Sequence, residues 1–429
     1  MKILQVGSGI PPDFIGGAEI YMYNLAKEIS RSHEVHVVYP TYAKTIKQPQ
    51  IVSKIYGNLH IHTLQIPQFA LFKAIQIKNT YTNKSIEQKF MDFLIHIKPD
   101  VIHFHNLWRF RSAKLIDVAH QLNIPAVITL HDYWFLCPFS TMINYKNNIC
   151  DMPEPDKCYR CWVEKLSANT PVKQLRPFLK FTLKRLNHPQ DFKKRNEFLK
   201  HMLLTVDKII APSRFLRKML IRYDVPEGKI IYLENGYNLD EFKGFKKRAK
   251  DTDKIIFGFV GRVSKEKGLH ILVDAFMDIP EDKAELRIYG NYDPNSEYIK
   301  ELLEKIKSKK NIKLMGRFKD VREPYSEIDV LVFPSIWYEN CPLVLAEARA
   351  TKTPVIASNL GAIPGFVKDG KTGLLFRPRD SKDLYEKIMR IIENPWLIKK
   401  FKKNIKPPKS MKEHAKEIES LYISLLAGR

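Results

Sequence analysis

Residues 1–30 read MKILQVGSGIPPDFIGGAEIYMYNLAKEIS, and this opening stretch decides the fold class. The apolar run from Lys2 to Val6 predicts a buried strand, and the glycine- and proline-rich segment after it predicts a loop. A helical pattern then runs from Ala18 to about Ser30. A strand, a glycine loop and a helix in this order are typical of α/β proteins with a parallel sheet.

The same alternation of strands and helices continues along the chain in two series. The first series has further apolar runs at 35–39, 101–104, 126–130 and 209–211, and the second has runs at 255–260, 285–289, 312–315, 330–333 and 354–357. A polar, basic segment at 240–253 separates the two. We therefore predict two Rossmann-like, doubly wound domains facing across a cleft, at 1–236 and 237–405, with a helix at 406–429 that packs back on the first domain.

The excess of basic residues indicates which classes of binding partner the protein can attract. The 429 residues include 71 Lys and Arg against 47 Asp and Glu, which gives a formal net charge of +24. Such a surface attracts nucleic acid, anionic lipid or phosphorylated small molecules, and net charge alone does not choose among them. The sequence has no RNA-binding motif, no paired-cysteine finger and no regular aromatic ladder, so we do not expect a nucleic-acid partner.

The apolar run at the N-terminus breaks at Gly7 and is too short for a signal peptide. No stretch approaches 18 consecutive apolar residues. We therefore expect a cytoplasmic protein whose membrane contact, if it has one, is peripheral and on the inner face of the cell membrane.

The segment FPSIWYENCPLVLAE, residues 333–347, predicts a strand end, a polar turn and a helix that starts near Pro342. A helix N-terminus at the carboxyl end of a parallel strand favours a bound phosphate. Two acids, Glu339 and Glu347, are placed to hold different parts of one ligand, and a capping acid with a solvated acid is the alternative. The backbone positions predicted to meet the ligand are Asn340, Cys341, Pro342 and Leu343.

Two other loops carry candidate residues. Arg262 and Lys267 follow the strand at 255–260, where cations suit phosphate oxygens; a solvated basic loop is the alternative. In the first domain, Gly16 and Gly17 open a helix whose backbone can approach the same phosphates. His131 follows the strand at 126–130 and could hydrogen-bond a substrate hydroxyl, with a structural histidine as the alternative.

An insertion at about 137–187 fits neither series. Four of the five cysteines lie in it, with two in a C-x2-C pair, and this spacing predicts a structural tetrahedral zinc site formed by Cys137, Cys150, Cys158 and Cys161. Buried free thiols are the alternative. The stretch at 165–200 is basic and interleaved with apolar residues, which predicts a basic amphipathic helix that touches an anionic membrane. A solvated basic face is the alternative.

Together these motifs resemble the retaining family 4 (group 1) glycosyltransferases, which have the two-domain GT-B fold. The resemblance rests on motifs in a fixed order: GGAE at 16–19, PDVIHFHN at 99–106, TLHD at 129–132, APS at 211–213, ENG at 234–236, GR at 261–262, KG at 267–268, GRF at 316–318, PS at 334–335, the E-x7-E pair, PVIA at 354–357 and GKTG at 370–373. Lys352 and Gly365 depart from residues common in the family, which weakens inference about the donor.

The resemblance implies roles for these positions. Glu339 and His131 would act beside the donor sugar, Glu347 would hold the ribose, and Gly17 would lie against the diphosphate. Arg262 and Lys267 would bind that diphosphate, and the segment with Arg317 and Phe318 would receive the base. The first domain would bind the acceptor and the second the donor.

The resemblance also implies the reaction. A UDP-, GDP- or ADP-linked sugar would pass, with retention of configuration and without a catalytic metal, to a glycan or lipid-linked acceptor in cell-surface polysaccharide or glycolipid synthesis. A nucleotide-sugar epimerase or hydrolase of the same fold is the alternative, and acceptor-dependent transfer separates the two. A basic nucleic-acid-binding protein is the less favoured alternative, and steeply salt-dependent RNA binding without nucleotide-sugar binding would identify it.

Overall fold

The computed structural model describes residues 1–68, 73, 75–170, 172–250 and 252–428. The chain divides into two compact units. The first comprises Met1–Gly236 together with Met411–Arg429, and the second comprises Tyr237–Ser410. The last helix therefore belongs to the first unit, although it follows the second along the chain.

The first unit is built on an eight-stranded sheet in the order β3-β4-β2-β1-β5-β6-β7-β8. Its pairs are parallel except for β3 with β4. The strands are β1 (Lys2–Val6), β2 (Glu34–Ala43), β3 (Gln50–Tyr56), β4 (Leu59–Pro67), β5 (Val101–Phe104), β6 (Ala126–Thr129), β7 (Lys208–Ala211) and β8 (Ile230–Tyr232). The helices are α1 (Gly17–Ile29), α2 (Lys84–Ile97), α3 (Leu115–Gln121), α4 (Pro155–Ala168), α5 (Arg176–Leu186), α6 (Pro189–Thr205) and α7 (Arg214–Arg222).

The second unit has a six-stranded, all-parallel sheet in the order β11-β10-β9-β12-β13-β14. Its strands are β9 (Ile255–Val260), β10 (Ala284–Tyr289), β11 (Ile312–Gly316), β12 (Val330–Phe333), β13 (Val355–Ser358) and β14 (Gly373–Phe376). Its helices are α8 (Leu269–Phe276), α9 (Glu297–Ile306), α10 (Arg322–Glu327), α11 (Leu343–Ala350), α12 (Ile363–Phe366), α13 (Ser381–Glu393) and α14 (Trp396–Asn404). The prediction of two α/β units with parallel sheets is confirmed.

The C-terminal helix α15 (Met411–Ala427) packs into the core of the first unit. Its buried apolar residues recur at helical spacing and share a cluster with Tyr21 and Leu25 of α1; they are Met411, Ala415, Ile418 and Tyr422. The second unit ends at Ser410, five residues beyond the expected boundary at 405. The connecting segment stays with this unit because Arg349 donates hydrogen bonds to the carbonyls of Lys406 and Pro407.

The basic stretch at 165–200 forms parts of three helices, so the single amphipathic helix expected there was wrong. α5 ends at Leu186, and α6 begins at Pro189 with a capping box between His188 and Asp191. Between them the buried Asn187 donates to the carbonyls of Ile75 and Leu183. These hydrogen bonds fix the break, because each satisfies a buried polar atom.

Candidate active site

Lys267 and Glu339 form a buried ion pair after two neighbouring strands of the second sheet. β9 leads through a loop to the short 3-10 turn Lys265–Lys267, and β12 leads to the turn that holds Glu339. Lys267 Nζ lies 2.7 Å from Glu339 Oε1, and the two side chains are 21% and 7% exposed. Because both follow carboxyl ends of adjacent parallel strands, the pair lies where open α/β sheets bind ligands.

Gly268 lets the two loops approach each other. Its φ of 73° lies in the left-handed region, and it caps the N-terminus of α8. A Cβ at this position would collide with the carbonyl group of Pro334. Glycine is therefore required at this position both by the backbone conformation and by the close contact.

Two further donors fix the carboxylate of Glu339. Ser335 Oγ donates to Oε1 at 2.9 Å and Trp337 Nε1 donates to the same oxygen at 2.6 Å. The Lys267 ammonium also lies 5.1 Å from the centroid of the Trp337 ring, within cation–π range. The lysine and the acid are thus held in one arrangement before any ligand arrives.

Arg262 occupies the same loop as Lys267 but has a different environment. Its side chain is 68% exposed, and Nη2 lies 3.2 Å from Glu266 Oε1. Such a surface pair contributes little and is easily exchanged. The structure therefore does not place the two predicted phosphate-binding cations together against one partner; Lys267 faces Glu339 and Arg262 faces solvent.

The backbone after Glu339 enters α11, which begins at Leu343 with Pro342 as its N-cap. The helix therefore starts near Pro342, as expected. No side chain in the described part of the chain caps this terminus. Asn340 is buried, and Cys341 Sγ lies 3.0 Å from the hydroxyl of Tyr237.

Glu347 is the fifth residue of α11 and is half-buried. The buried hydroxyl of Tyr325 donates to Glu347 Oε2 at 2.8 Å and contacts the carbonyl of Val344 at 3.1 Å. Burial raises the pKa of Glu347 to about 7, although the tyrosine hydrogen bond acts in the opposite direction. This acid therefore changes its charge near neutral pH.

Arg317 and Phe318 follow the end of β11 at Gly316, whose φ is 75°. Arg317 Nε donates to Asn291 Oδ1 at 2.8 Å, and Phe318 packs partly buried against the core of the second unit. The two residues thus lie at the carboxyl edge of the same sheet as Lys267.

In the first unit, Gly16 is the N-cap of α1 and Gly17 its first residue. Ser8, in the loop after β1, donates to the carboxylate of Glu19 in the first turn of the helix. A Cβ on Gly16 would meet that carboxylate. Glycine at position 16 therefore leaves room for the Glu19 carboxylate at the start of the helix. The hydrogen bond from Ser8 to Glu19 connects the loop after β1 to the first turn of α1.

His131 follows β6 and is half-buried beside His105. His131 Nε2 lies 3.0 Å from His105 Nδ1, and His105 Nε2 lies 2.6 Å from Gln5 Oε1. A carbonyl oxygen only accepts, so His105 donates from Nε2 and accepts at Nδ1, and His131 donates from Nε2. The Nδ1 of neutral His131 is then an acceptor. Burial lowers the pKa of His131 to about 3, which keeps the ring neutral, and raises that of neighbouring Asp132 to about 6.

The histidine network extends to the C-terminal helix. The amide of Gln5 donates to the hydroxyl of Tyr422 at 3.2 Å, and that hydroxyl lies 2.6 Å from His103 Nδ1. His103 Nε2 lies 2.8 Å from Thr129 Oγ1. Sequence reasoning missed Gln5 and Tyr422; for Gln5 the available signal was a polar residue inside the largely apolar strand β1.

Two protein-family models match consecutive parts of the chain. The family model described as Glycosyltransferase Family 4 matches residues 15–241, and the one described as Glycosyl transferases group 1 matches residues 240–413. The chain belongs to the family 4, group 1 glycosyltransferases.

Relatives of this glycosyltransferase are named for glycolipid synthesis and for capsular polysaccharide biosynthesis. It is 25% identical to the alpha-monoglucosyldiacylglycerol synthase of Acholeplasma laidlawii, with 96% of this chain and 94% of that protein covered. It is 26% identical to the capsular polysaccharide biosynthesis glycosyltransferase CapM of Staphylococcus aureus, over 51% of this chain and 62% of that one.

Solved structures agree on the fold. The sucrose-phosphate synthase of Thermosynechococcus elongatus has a TM-score of 0.67 and 20% identity, with 100% of both chains covered. Anabaena HepE, solved in complex with UDP and glucose, has a TM-score of 0.65 and 17% identity over 99% of this chain and 100% of that one. The predicted GT-B fold of the glycosyltransferase, with its two Rossmann-like domains, is confirmed.

The four clustered cysteines of the glycosyltransferase are free thiols in one neighbourhood. Burial is the main cause that raises the pKa of Cys158 to about 12 and of Cys161 to about 11, and Cys137 and Cys150 add to both shifts. Among the described residues, the one group of His, Cys, Asp or Glu ligand atoms close enough to hold an ion contains no cysteine. The thiols thus lie near one another without forming a preassembled set of ligands.

Arg195 on α6 is fully buried beside these thiols. Its Nη2 donates to the carbonyl of Trp134 at 2.5 Å, whereas Nε and Nη1 have no hydrogen-bond partner among the described residues. Burial lowers the pKa of Arg195, and Cys137 and Cys158 act in the opposite direction. A buried guanidinium whose Nε and Nη1 have no partner among the described residues is costly unless a negative charge compensates it.

α5 exposes large apolar side chains next to its basic residues. Phe178 is 71% exposed and Phe181 is 63% exposed, while Leu175, which precedes the helix, is 52% exposed. Lys184 and Arg185 are exposed on the last turn. Within the described part of the chain, no helix is both long enough and apolar enough to span a membrane.

Proposed function

We propose that this glycosyltransferase moves a hexosyl group from a nucleoside-diphosphate sugar to a glycan or lipid-linked acceptor, with retention of anomeric configuration. The observation that carries the proposal is the buried ion pair of Lys267 and Glu339 after β9 and β12. It offers a fixed cation beside a fixed acid at the sheet edge where α/β proteins bind ligands. HepE, which has the same fold, was solved with UDP-glucose.

The proposed chemistry requires stabilisation of a leaving diphosphate. When the bond from the anomeric carbon to the diphosphate breaks, its electrons remain on the phosphate oxygen and negative charge grows there. Lys267 would donate to this oxygen, and the exposed Arg262 would exchange Glu266 for a phosphate. Preorganised cations that meet developing charge in this way supply a large part of transition-state stabilisation without a catalytic metal.

Other residues would orient the donor. Glu347 in its ionised form accepts hydrogen bonds from ribose hydroxyls, and Glu339 lies beside the sugar. The Nδ1 of His131 accepts a hydrogen bond from a sugar hydroxyl, because the network through His105 keeps its proton on Nε2. Arg317 and Phe318 would flank the base.

A thermal-shift panel of UDP, GDP, ADP and their sugar conjugates tests donor binding. A ligand at 100 times its Kd stabilises the folded chain by about 2.7 kcal/mol. We expect one nucleotide series to stabilise the wild type and Lys267→Ala to abolish the shift, whereas the exposed Lys283→Ala of the same unit leaves it unchanged. Stabilisation that survives Lys267→Ala would contradict the phosphate role.

Product analysis then separates transfer from the alternative reactions. With the stabilising nucleotide sugar, transfer requires an acceptor, whereas an epimerase or hydrolase consumes the donor without one. We expect donor consumption to depend on the acceptor. Equal consumption without acceptor would instead favour a hydrolase or epimerase.

We also propose that α5 docks on an anionic membrane surface, so that the enzyme is cytoplasmic and peripheral on the inner face. Phe178 and Phe181 would enter the headgroup boundary while Lys184 and Arg185 meet anionic lipids. The relative from Acholeplasma laidlawii is named for a diacylglycerol product, which supports a lipid-linked acceptor.

Co-sedimentation with vesicles tests the membrane proposal. We expect binding to vesicles with anionic lipid and little to neutral ones, and a loss of binding in Phe178→Ser/Phe181→Ser. Ile55→Ser removes a similarly exposed apolar side chain, 73% exposed on β3, and should bind as the wild type does. Equal partitioning onto neutral and anionic vesicles would overturn the electrostatic part.

Finally, we propose that the thiols of Cys137, Cys150, Cys158 and Cys161 bind a structural zinc ion. Four thiolates around Zn²⁺ carry a net charge of −2, and this charge would compensate the buried, incompletely bonded Arg195. Binding requires the thiols to move into tetrahedral contact and lose their protons. We expect one zinc per chain and four protected thiols in metal analysis of protein purified without chelator; four reactive thiols without zinc would contradict it.

A further inference from the structure

A second group of metal-binding side chains lies on the first sheet, away from the candidate active site. Glu34 and His36 lie on β2, and His60 lies opposite His36 on the neighbouring β4. One ligand atom from each of the three lies within 4.8 Å of the others. These residues are near the amino ends of their strands, whereas His131 and Gly16 follow carboxyl ends.

The geometry of this group suits one ion. In a strand, residues two apart point to the same face, so Glu34 and His36 share a face, and the parallel register places His60 on it too. The rings of His36 and His60 are stacked with centroids 4.6 Å apart. Glu34 is exposed and His60 is half-buried, so an ion can reach them from solvent.

A neighbouring pair of side chains is placed to orient the buried imidazole. His36 Nδ1 lies 2.8 Å from His62 Nε2, and His62 Nδ1 lies 2.7 Å from Ser53 Oγ. When the Nε2 of His36 binds a metal, its proton lies on Nδ1 and is donated to His62, whose own proton is then donated to Ser53. Metal-bound histidines typically have such a partner on the second nitrogen.

From this arrangement we infer a binding site for a divalent transition-metal ion formed by Glu34, His36 and His60, with His62 and Ser53 as orienting partners. Two imidazoles and a carboxylate are the ligands of Zn²⁺ and related first-row ions, and water would complete the coordination. The site is independent of glycosyl transfer and of the cysteine cluster.

The surrounding charges are compatible with a bound cation. Lys2 Nζ lies 3.4 Å from Glu34 Oε1 and also 3.2 Å from the carbonyl of Ile97, so it keeps a partner when the carboxylate turns to a metal.

Calorimetric titration of the chelator-treated full chain with Zn²⁺ tests the site. Because the cysteines can also bind zinc, a comparison between variants is needed to show which bound zinc ion belongs to this site. We expect His60→Gln to bind one ion fewer than the wild type, and His62→Leu to bind the same ion about 10- to 100-fold more weakly. His201→Gln, which changes an exposed histidine on α6, should match the wild type.

Glu34→Gln provides a second, exposed ligand variant that leaves the fold intact. We expect the loss of this ligand to lower the zinc affinity of the site formed by Glu34, His36 and His60 by at least about tenfold. If wild type, His60→Gln and Glu34→Gln bind equal numbers of zinc ions with equal affinity, the proposed site is overturned, whatever the cysteines bind.

Discussion

The ammonium group of Lys267 lies 2.7 Å from Oε1 of Glu339, and the two residues are separated by 72 positions in the chain. The same carboxylate oxygen accepts from Ser335 and Trp337. This pair connects the loop after β9 with the turn after β12. The same ion pair therefore affects both the stability of the second unit and the positions of its candidate ligand-binding groups.

Removing Lys267 should destabilise the chain more than removing a lysine from a surface pair. Lys267→Ala leaves a nearly buried carboxylate without its cation, which costs about 1–3 kcal/mol. Lys305→Ala breaks the exposed pair with Asp274 and should cost less than about 1 kcal/mol. Urea denaturation measures both, and equal costs would contradict a special role for the buried pair.

A double-mutant cycle isolates the interaction itself. Lys267→Met and Glu339→Gln keep the approximate volume of each side chain and remove its charge. We expect a coupling energy of about 0.5–3 kcal/mol between them, as is typical of residues in contact. Glu339→Gln should also retain its fold and lose transfer; additive effects on stability together with near-normal activity would refute the pairing and the role.

Glu347 should make stability depend on pH in a defined direction. Its pKa is raised from the ordinary value of 4.5 to about 7 in the folded chain, so between these values the folded state binds more protons than the unfolded one. The contribution of Glu347 to stability therefore falls as pH rises from about 4.5 to 7. The difference in unfolding free energy between wild type and Glu347→Gln, measured by urea denaturation across this pH range, should follow this curve. A difference that does not change with pH would contradict the raised pKa of Glu347.

The same titration should affect nucleotide binding in the opposite direction. Only the carboxylate form accepts two ribose hydroxyls, so affinity for the stabilising nucleotide should increase as pH rises through about 7. Glu347→Gln should bind weakly at every pH. Wild-type affinity that does not vary between pH 6 and pH 8 would contradict the ribose role.

Parts of the fold with continuous apolar runs were predictable from the sequence. The strands expected at 101–104, 255–260 and 330–333 have the same bounds in the structure, because strands buried on both faces of a parallel sheet are mostly apolar. β3 and β4 were missed. β3 is mostly exposed and β4 carries His, Thr and Gln between its apolar residues, so neither forms a continuous run.

The candidate site was predictable as a set of residues but not as a set of contacts. The motifs placed Lys267 and Arg262 together, yet the structure pairs Lys267 with Glu339. That pairing depends on the close approach of Gly268 to Pro334, which no local pattern encodes. The hydrogen bonds of Tyr422 likewise depend on α15 returning to the first unit, over more than 300 residues from His103.

Tyr422 should support His131 from a distance. Tyr422→Phe leaves the Nδ1 of buried His103 and the amide of Gln5 without a partner, which costs about 1–3 kcal/mol. Because Gln5 then loses its fixed orientation, we expect kcat/KM for transfer to fall by about tenfold or more while nucleotide affinity stays unchanged. Tyr145→Phe, at a tyrosine that is 39% exposed, is the control. Unchanged kcat/KM in Tyr422→Phe would limit this network to a structural role.

Gly268 should tolerate no larger residue without a loss of stability. Gly268→Ala forces a side chain into the left-handed region and against the carbonyl of Pro334, for a cost of about 1–3 kcal/mol or more. Gly365→Ala on α12 meets no atom within 4 Å and no positive φ, so it should cost little or stabilise slightly. Since Gly268 sets the distance between the loops of Lys267 and Glu339, its alanine variant should also lose the nucleotide-dependent thermal shift. A variant as stable as Gly365→Ala that still shows the full shift would mean that the two loops can hold their ligand groups without this close contact.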